Sequence, residues 1–110
     1  LIMEDKQSAS KAQETEDRLI NFASRIMDMV EAIPKSASGK ILGNQVLRSG
    51  TSPALNYGEV RAAESRDDFI HKMKLCLKEL RETHVCLKII EKRNWFSPDR
   101  INPLLVECNE

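Results

Sequence analysis

The chain has 110 residues, of which 41% are hydrophobic, 31% are charged and only 5% are aromatic. This length is enough for one domain and too short for two. The scarcity of aromatic residues, together with only four glycines and four prolines, disfavours a β-sandwich or barrel. The net charge is zero, but basic residues are in excess over 38–93, between two acidic ends. Such a segment indicates either an anionic partner or an ordinary solvated helix surface.

The three cysteines, Cys76, Cys86 and Cys108, form no disulfide pattern, because their number is odd and no short-loop spacing occurs. Each lies among apolar residues, so we expect free, buried thiols in a reducing compartment. The sequence also contains no apolar run long enough to span a membrane and no signal-peptide pattern at its start. We therefore expect a cytoplasmic protein that does not enter a membrane.

The N-terminal segment, residues 1–12, is polar and lacks apolar periodicity, which predicts a flexible arm ahead of one domain over 13–110. Apolar steps of three and four residues then predict a first helix from Thr15 to Ile33. Pro34 ends that helix, because proline disfavours helical geometry at the residue before it. The predicted core face consists of Leu19, Phe22, Ala23, Ile26, Met29, Val30 and Ile33.

The second predicted helix begins after Ser36 or Ser38, either of which is a suitable N-cap. Pro53 should bend this helix or start a new segment, since it leaves the carbonyl of Ser49 without its donor. The hydroxyl groups of Ser49, Thr51 and Ser52 are candidates to satisfy the freed groups. The apolar stripe comprises Leu42, Val46, Ser49, Pro53, Asn56 or Tyr57, and Val60.

A ridge of small residues runs along the same helix. Gly50, Ala54, Gly58 and Ala62 follow one another at intervals of four, which places them on one side of the helix. Because small side chains leave a shallow groove, we expect another helix to pack closely against these four residues. A glycine inside a helix costs about 1 kcal/mol relative to alanine, so a packing gain should offset Gly58.

The third predicted helix starts at a sequence that resembles a capping box, in which Ser65 is the N-cap and Asp68 replaces the usual Glu or Gln. It extends to about Lys92. Its core positions repeat at intervals of four and three, as in the helices of a bundle. These positions are Phe69, Met73, Cys76, Leu80, Thr83 and Leu87.

Further apolar residues of the third helix lie outside this seam: Ile70, Leu75, Leu77, Val85, Ile89 and Ile90. A helix with such a wide apolar face is either deep in a core or buried between subunits. In a bundle of this size we favour the second alternative. Leu75, Val85 and Ile89 are the predicted subunit contacts.

The fourth predicted helix has Ser97 as its N-cap and Pro98 as its first residue. Its apolar residues are Ile101, Leu104, Leu105 and Cys108. The sequence stops after about 13 helical residues, or roughly 20 Å, against about 40 Å for the third helix. We therefore predict an all-α, antiparallel up-and-down four-helix bundle with a truncated fourth helix.

No combination of residues indicates catalysis or a metal site. His71, His84 and Cys86 lack the spacing of three or four residues needed to share a metal on one helix face. Glu79 and Glu82 have no histidine at the position that a di-iron site requires. We expect these two acids to pair with Lys78, Arg48 or Arg81, or to hydrogen-bond with Asn56. No phosphate-binding glycine loop or nucleophile motif occurs, so we predict a protein that is not an enzyme and holds no cofactor.

Basic residues of the second and third helices are the candidates for nucleic-acid binding. Contacts of this kind would be made to phosphates and would not read sequence. The alternative is an ordinary solvated surface. The candidate residues are Arg48, Arg61, Arg66, Lys72, Lys74, Lys78 and Arg81, with Lys88, Lys92 and Arg93 further along the third helix.

One long pattern resembles a known family. It consists of QVLRSGTSPALNYGE at 45–59, AAES at 62–65, DFIHKM at 68–73 and LKELRET at 77–83. These segments resemble bacterial four-helix-bundle proteins that are encoded in intervening sequences of large-subunit (23S) ribosomal RNA. The resemblance covers about residues 19–108.

The resemblance implies a ring-like homopentamer without an assigned enzymatic activity. A related group, the accessory variability proteins of diversity-generating retroelements, also forms pentamers. Those proteins bind nucleic acid and a reverse transcriptase through basic surfaces, whereas this chain is neutral overall. We therefore predict a homo-oligomeric scaffold or adaptor. The alternative is an accessory protein whose binding partner is RNA, DNA or an enzyme that acts on nucleic acid.

Overall fold

A computed structural model describes the backbone over residues 2–109 and the side chains over 10–109. Every element in that range is helical. The four helices are α1 (Ile2–Glu31), α2 (Ala37–Arg61), α3 (Arg66–Lys92) and α4 (Pro98–Asn109). Each helix packs against the next and α4 returns to α1, while the diagonal pairs share no backbone contact in the part described. This arrangement confirms the predicted all-α four-helix bundle.

The start of α1 differs from the prediction. The first helix begins at Ile2 rather than at Thr15. Residues 2–14 lack an apolar stripe but are rich in Ala, Glu, Lys and Gln, all of which have high helix propensity. Leu1 and the side chains before Ser10 lie outside the described residues. The flexibility of the arm over 1–12 and the domain boundary at 13 stay predictions.

A tight turn joins α1 to α2. α1 ends at Glu31, and the Ser36 hydroxyl accepts a hydrogen bond from the Gly39 amide at 3.1 Å, which makes Ser36 the N-cap. A Cβ atom on Gly39 would lie 1.9 Å from the carbonyl oxygen of Pro34. This turn therefore requires glycine at position 39.

Pro53 lies inside an uninterrupted α2, so the predicted alternative of a new helical segment is wrong. The hydroxyl of Ser52 donates to the carbonyl oxygen of Arg48 at 2.6 Å, and that of Thr51 donates to Leu47 at 2.7 Å. These two hydroxyls thus bond to the turn that precedes Pro53, rather than to the carbonyl of Ser49.

The remaining helix ends follow the predictions. The Ser65 hydroxyl accepts from the Asp68 amide at 3.1 Å, and the Asp68 carboxylate accepts from the Glu64 amide at 3.3 Å. Asn94, just beyond the end of α3, has a left-handed φ of 57°, a conformation that asparagine tolerates after a helix. α4 begins at Pro98, as predicted.

Close packing of α1 and α2 is found at Gly50, where an added Cβ would lie 3.0 Å from two carbons of Ile26. It is not found at Gly58, where the nearest such atom is a Glu16 carboxylate oxygen at 4.0 Å. Ala54 is half-buried, and Ala62 is the exposed C-cap of α2. The small-residue ridge therefore packs closely at its first position, whereas Gly58 has no close neighbour.

The core lies where all four helices meet. Ile90, placed outside the seam by the sequence pattern, is buried, whereas Phe69, a predicted core position, is 46% exposed. Both assignments are corrected: Ile90 belongs to the buried core cluster, and Phe69 is exposed because α4 ends before it reaches the level of Phe69. The buried core cluster consists of Phe22, Ile26, Met29, Ile33, Val46, Cys86, Leu87, Ile90, Ile101, Leu104 and Cys108.

Candidate functional site

The register between α2 and α3 is set by buried polar contacts. Thr83 Oγ1 lies 2.9 Å from Ser49 Oγ, and both residues are fully buried. The thiol of Cys76 lies 3.8 Å from the Pro53 carbonyl oxygen, about one turn along α2 from Ser49 and about two turns along α3 from Thr83. Buried polar groups that satisfy one another favour one register over its neighbours.

An ion-pair cluster lies on the outside of this helix pair. Arg48 Nη1 lies 3.0 Å from Glu79 Oε2, and Arg48 Nη2 contacts the carboxylate of Glu82. The hydrogen bond from Arg48 lowers the pKa of Glu82. Of the predicted alternatives, Lys78, Arg48, Arg81 and Asn56, the structure pairs both acids with Arg48, and these three side chains link the two helices.

Apolar side chains flank this ion-pair cluster. The antiparallel register places Ile41 of α2 level with Ile89 of α3, and Leu55 level with Leu75, with the ion pairs between the two levels. We call the surface formed by these four residues and Val85 the outer α2–α3 face. All five are exposed, Ile41 by 62% and Leu55 by 74%. This face is therefore a candidate interaction surface.

Only part of the outer α2–α3 face is among the residues predicted from the sequence. Leu75, Val85 and Ile89 were predicted contacts, and the structure leaves all three exposed. Ile41 and Leu55 were missed. Ile41 and Leu55 are fourteen residues apart, close to four helical turns. This spacing predicts that both lie on the side of α2 opposite the buried stripe.

Three of the predicted nucleic-acid-binding residues are held in ion pairs within the chain. Arg48 contacts Glu79 and Glu82, Arg61 lies 2.7 Å from Glu16, and Lys72 lies 3.0 Å from Asp68. The hydrogen bond from Lys72 lowers the pKa of Asp68. These cations are partly neutralised and are weaker candidates for phosphate contacts than the sequence indicates.

Other cations of α3 form a stripe on its exposed side. Their spacing of four, three, seven and four residues keeps them on one helix face over about 27 Å. None of them lies within 4.0 Å of a carboxylate in residues 10–109, and Arg66, near the start of α3, is likewise exposed and unpaired there. We call Lys74, Lys78, Arg81, Lys88 and Lys92 the α3 basic stripe.

A cavity of about 190 Å³ opens where α4 ends between α1 and α3. Two buried cysteines line it, and the Cys108 thiol donates to the Leu80 carbonyl oxygen at 3.2 Å. Burial raises the pKa of Cys108 to about 11, so its thiol stays protonated near neutral pH and is a poor nucleophile. The lining residues are Thr15, Arg18, Leu19, Phe22, Tyr57, Met73, Cys76, Leu77, Leu80, Glu107 and Cys108.

The described side chains contain no group of three His, Cys, Asp or Glu residues that could hold a metal ion. Over the same range, no helix is both long enough and apolar enough to cross a membrane.

The chain is similar to known proteins in sequence and in fold. The family model described as 23S rRNA-intervening sequence protein matches residues 11–110. The chain belongs to this family. The resemblance seen in the sequence is thus confirmed over nearly the whole chain. The relation to the accessory variability proteins stays a prediction.

A solved relative supports the family assignment. It is the 1.70 Å crystal structure of a protein of unknown function, from the S23 ribosomal protein family of Bacteroides thetaiotaomicron. It has a TM-score of 0.79 and 29% sequence identity, and the match covers 86% of this chain and 87% of that one. No curated protein is significantly similar to the chain. Neither the family description nor this relative carries an assigned activity.

Proposed function

We propose that this 23S rRNA-intervening sequence protein is a non-enzymatic scaffold or adaptor that assembles from identical copies, as a homopentamer. The observation that carries the proposal is the outer α2–α3 face, with five exposed apolar residues around a fixed ion-pair cluster. Burying one such side chain contributes about 1.5–3 kcal/mol. Several of them in one contact would favour association.

A ring also needs a second surface on each copy, because a cyclic pentamer joins two different surfaces. Ile20 and Met27 of α1 provide a candidate. They are about half exposed, and their separation of seven residues places them on one side of the helix. α1 lies diagonally opposite α3 in the bundle, so this surface is distinct from Leu75, Val85 and Ile89.

Mass measurement by sedimentation equilibrium tests this proposal. Leu75→Glu should lower the mass of the assembly, because it places a charge in an apolar contact. Ile20→Glu should do the same if the ring joins two surfaces. Val106→Glu, at an exposed apolar position on α4, is the control and should leave the mass unchanged.

Two outcomes would count against the pentamer. A wild-type mass of one chain, or a mass that Leu75→Glu leaves unchanged, removes the outer α2–α3 face as the subunit contact. A two-chain mass that responds to Leu75→Glu but not to Ile20→Glu would indicate a symmetric dimer, in which one surface contacts itself.

A second candidate function is nucleic-acid binding, and the α3 basic stripe favours it. Five exposed cations on one helix face, none within 4.0 Å of a carboxylate in the part described, can contact successive phosphates. Such binding would be insensitive to base sequence.

Fluorescence anisotropy with duplex DNA and structured RNA over a salt series tests this function. Wild-type affinity should fall log-linearly with salt, and Lys78→Gln/Lys88→Gln should weaken binding and flatten the slope. Lys35→Gln/Lys40→Gln is the charge-matched control, because both residues are exposed but outside the stripe. Equal losses in the two double variants would contradict a role for the stripe.

A further inference from the structure

A cavity of about 240 Å³ lies between α1 and the first two turns of α4, beside the link that joins α3 to α4. We call it the α1–α4 pocket. Its lining includes Arg25, Asp28, Met29, Phe96, Arg100 and Leu104. A cavity of about 150 Å³ can hold a benzene ring, so the α1–α4 pocket has room for a small organic molecule.

The α1–α4 pocket combines an apolar floor with a charged rim. Met29 is 5% exposed and Leu104 is 4% exposed, while Phe96 is half-buried and packs against the core cluster. The three charged lining residues are all exposed. A ligand that matches both parts of the pocket therefore carries an apolar group and a charged group.

The register of α1 and α4 brings two arginines to the rim. Arg18 of α1 lies 3.1 Å from Glu107 of α4. Arg25 follows seven residues later on α1, and Arg100 precedes Glu107 by seven residues on the antiparallel α4. Seven residues cover about 10.5 Å and return to nearly the same side of a helix. An arginine thus faces an acid at the first level, and an arginine faces another arginine at the second.

These two arginines have no counter-ion within the described chain. Neither Arg25 nor Arg100 lies within 4.0 Å of a carboxylate among residues 10–109, and Asp28 on the same rim is equally unpaired there. The arginines that link one helix to another are each bound to a glutamate. Two guanidinium groups at one pocket repel each other, and an anion placed between them would replace that repulsion by attraction.

An aromatic contact holds one of the arginines in place. The guanidinium carbon of Arg100 lies 5.1 Å from the centroid of the Phe96 ring. Because its N–H groups lie in the guanidinium plane, an arginine that packs over a ring can still donate from its edge to a carboxylate. Phe96 therefore lines the pocket and also orients a donor towards a ligand.

The charges on the rim indicate the charge of the ligand. Two arginines and one aspartate leave one excess positive charge. A monocarboxylate would neutralise that charge, whereas a phosphate monoester, with a charge of about −1.5 to −2 at pH 7, would add negative charge beside Asp28. The apolar floor then favours a carboxylate that carries a compact apolar group.

We propose that the α1–α4 pocket binds an organic monocarboxylate with a compact aromatic or branched apolar group. The carboxylate would accept hydrogen bonds from Arg25 and Arg100, and the apolar group would lie against Met29 and Leu104. A free acid and the C-terminal residue of a peptide both present this chemistry. The pocket lies on the opposite side of the bundle from the outer α2–α3 face, so the proposal is independent of assembly.

A heteronuclear NMR titration of the labelled protein tests the proposal. The probes are 3-phenylpropionate, its uncharged amide, and acetate, which has the charge without the ring. Wild-type protein should bind 3-phenylpropionate at least about tenfold more tightly than either of the others, because one lacks the ionic hydrogen bonds and the other the apolar contact. The largest shifts should come from amides around Arg25 and Arg100.

A tripeptide that ends in phenylalanine with a free carboxylate distinguishes the two sources of the ligand. Tighter binding of this peptide than of 3-phenylpropionate would assign the end of a peptide chain as the ligand. Weaker binding would assign a free acid. Either result supports a carboxylate site with an apolar floor.

Three variants locate the site. Arg25→Gln and Arg100→Gln should each weaken binding about tenfold or more. Arg66→Gln, at an exposed arginine without an ion pair in residues 10–109, is the matched control and should bind as wild type does. Circular dichroism verifies that each variant remains helical.

A charge reversal tests the register argument with a separate measurement. Arg100→Glu should abolish binding and raise the midpoint of urea unfolding, because the new carboxylate would pair with Arg25 as Glu107 pairs with Arg18. An unchanged affinity in this variant would show that the ligand does not contact the two arginines.

Three further results would overturn the proposal. The first is that wild-type protein binds neither 3-phenylpropionate nor the peptide, even if Arg100→Glu raises the unfolding midpoint. The second is equal binding of the acid and its amide. The third is a loss of affinity in Arg66→Gln as large as that in Arg25→Gln, which would reduce the binding to general attraction by surface cations.

Discussion

The glycines of α2 illustrate how one atom decides the cost of a substitution. A Cβ at Gly50 would lie 3.0 Å from Ile26, which is fully buried and has little room to move, whereas a Cβ at Gly58 would lie 4.0 Å from the end of the flexible Glu16 side chain. Neither glycine has a positive φ, so the backbone conformation does not distinguish them. Packing therefore determines the sign of the effect.

We expect Gly50→Ala to destabilise the protein by about 1–3 kcal/mol, because it overpacks the contact with Ile26. Gly58→Ala is the matched control. It should stabilise the protein by up to about 1 kcal/mol, since alanine has the higher helix propensity. Urea unfolding followed by circular dichroism measures both. A destabilised Gly58→Ala, or a neutral Gly50→Ala, would contradict the close packing described for α1 and α2.

The three thiols should react slowly in the native protein. Cys76, Cys86 and Cys108 are buried, and burial raises the pKa of each. At pH 8, below the raised values, the thiol form dominates and the thiolate nucleophile is scarce. Reaction with Ellman's reagent should be slow in buffer and should release three equivalents at once in denaturant. A cysteine introduced at the exposed Lys40 should react rapidly in the native state. Equally rapid reaction of the native thiols would be inconsistent with their burial.

At the scale of the helices, local chemistry made the boundaries predictable. Pro34, Ser36, Ser65 and Pro98 act within one turn of the chain, and the structure places a helix end at or near each of them. The start of α1 was not predictable from periodicity, because residues 2–14 form a helix without an apolar stripe.

The candidate surfaces were less predictable than the helices, because each depends on the relative position of two helices. Phe69 satisfies the heptad pattern, yet it is exposed since α4 does not reach it. Arg48, Arg61 and Lys72 are basic in sequence, but their partners are set by the fold. Periodicity indicates which side of a helix is apolar and does not indicate what covers it.

The link between α2 and α3 should weaken in acid. Arg48 lowers the pKa of Glu82, so the ion pair stabilises the folded state above the ordinary pKa of a glutamate and loses that effect as the pH falls through the lowered value. Arg48→Gln should therefore be less stable than wild type at pH 7, with a difference that shrinks towards pH 3. Urea unfolding at both pH values measures it.

The control for this experiment is Arg66→Gln, at an exposed arginine without an ion pair in residues 10–109. Its difference from wild type should depend much less on pH. If the destabilisation in Arg48→Gln were as large at pH 3 as at pH 7, the contribution of Arg48 would come from packing of its stem and not from its charge.

For the whole molecule, the arrangement of helices explains why the surfaces are available. α1, α2 and α3 have 30, 25 and 27 residues in a body of 53 × 25 × 18 Å, while α4 has twelve. Apolar side chains of the three long helices are exposed, among them Ile20, Ile41 and Leu75. The proposed assembly is one way in which this surface would be removed from water.

Because α4 packs on only one half of α3, the backbone amides of the two halves should differ in their protection from hydrogen exchange. Amides near Thr83–Ile90 are enclosed by all four helices, so we expect them to exchange with deuterium only when the whole bundle opens. Amides near Phe69–Met73 lack cover by α4 and should exchange through smaller, local openings. One continuous helix would then show a gradient of exchange protection that rises toward its C-terminal end.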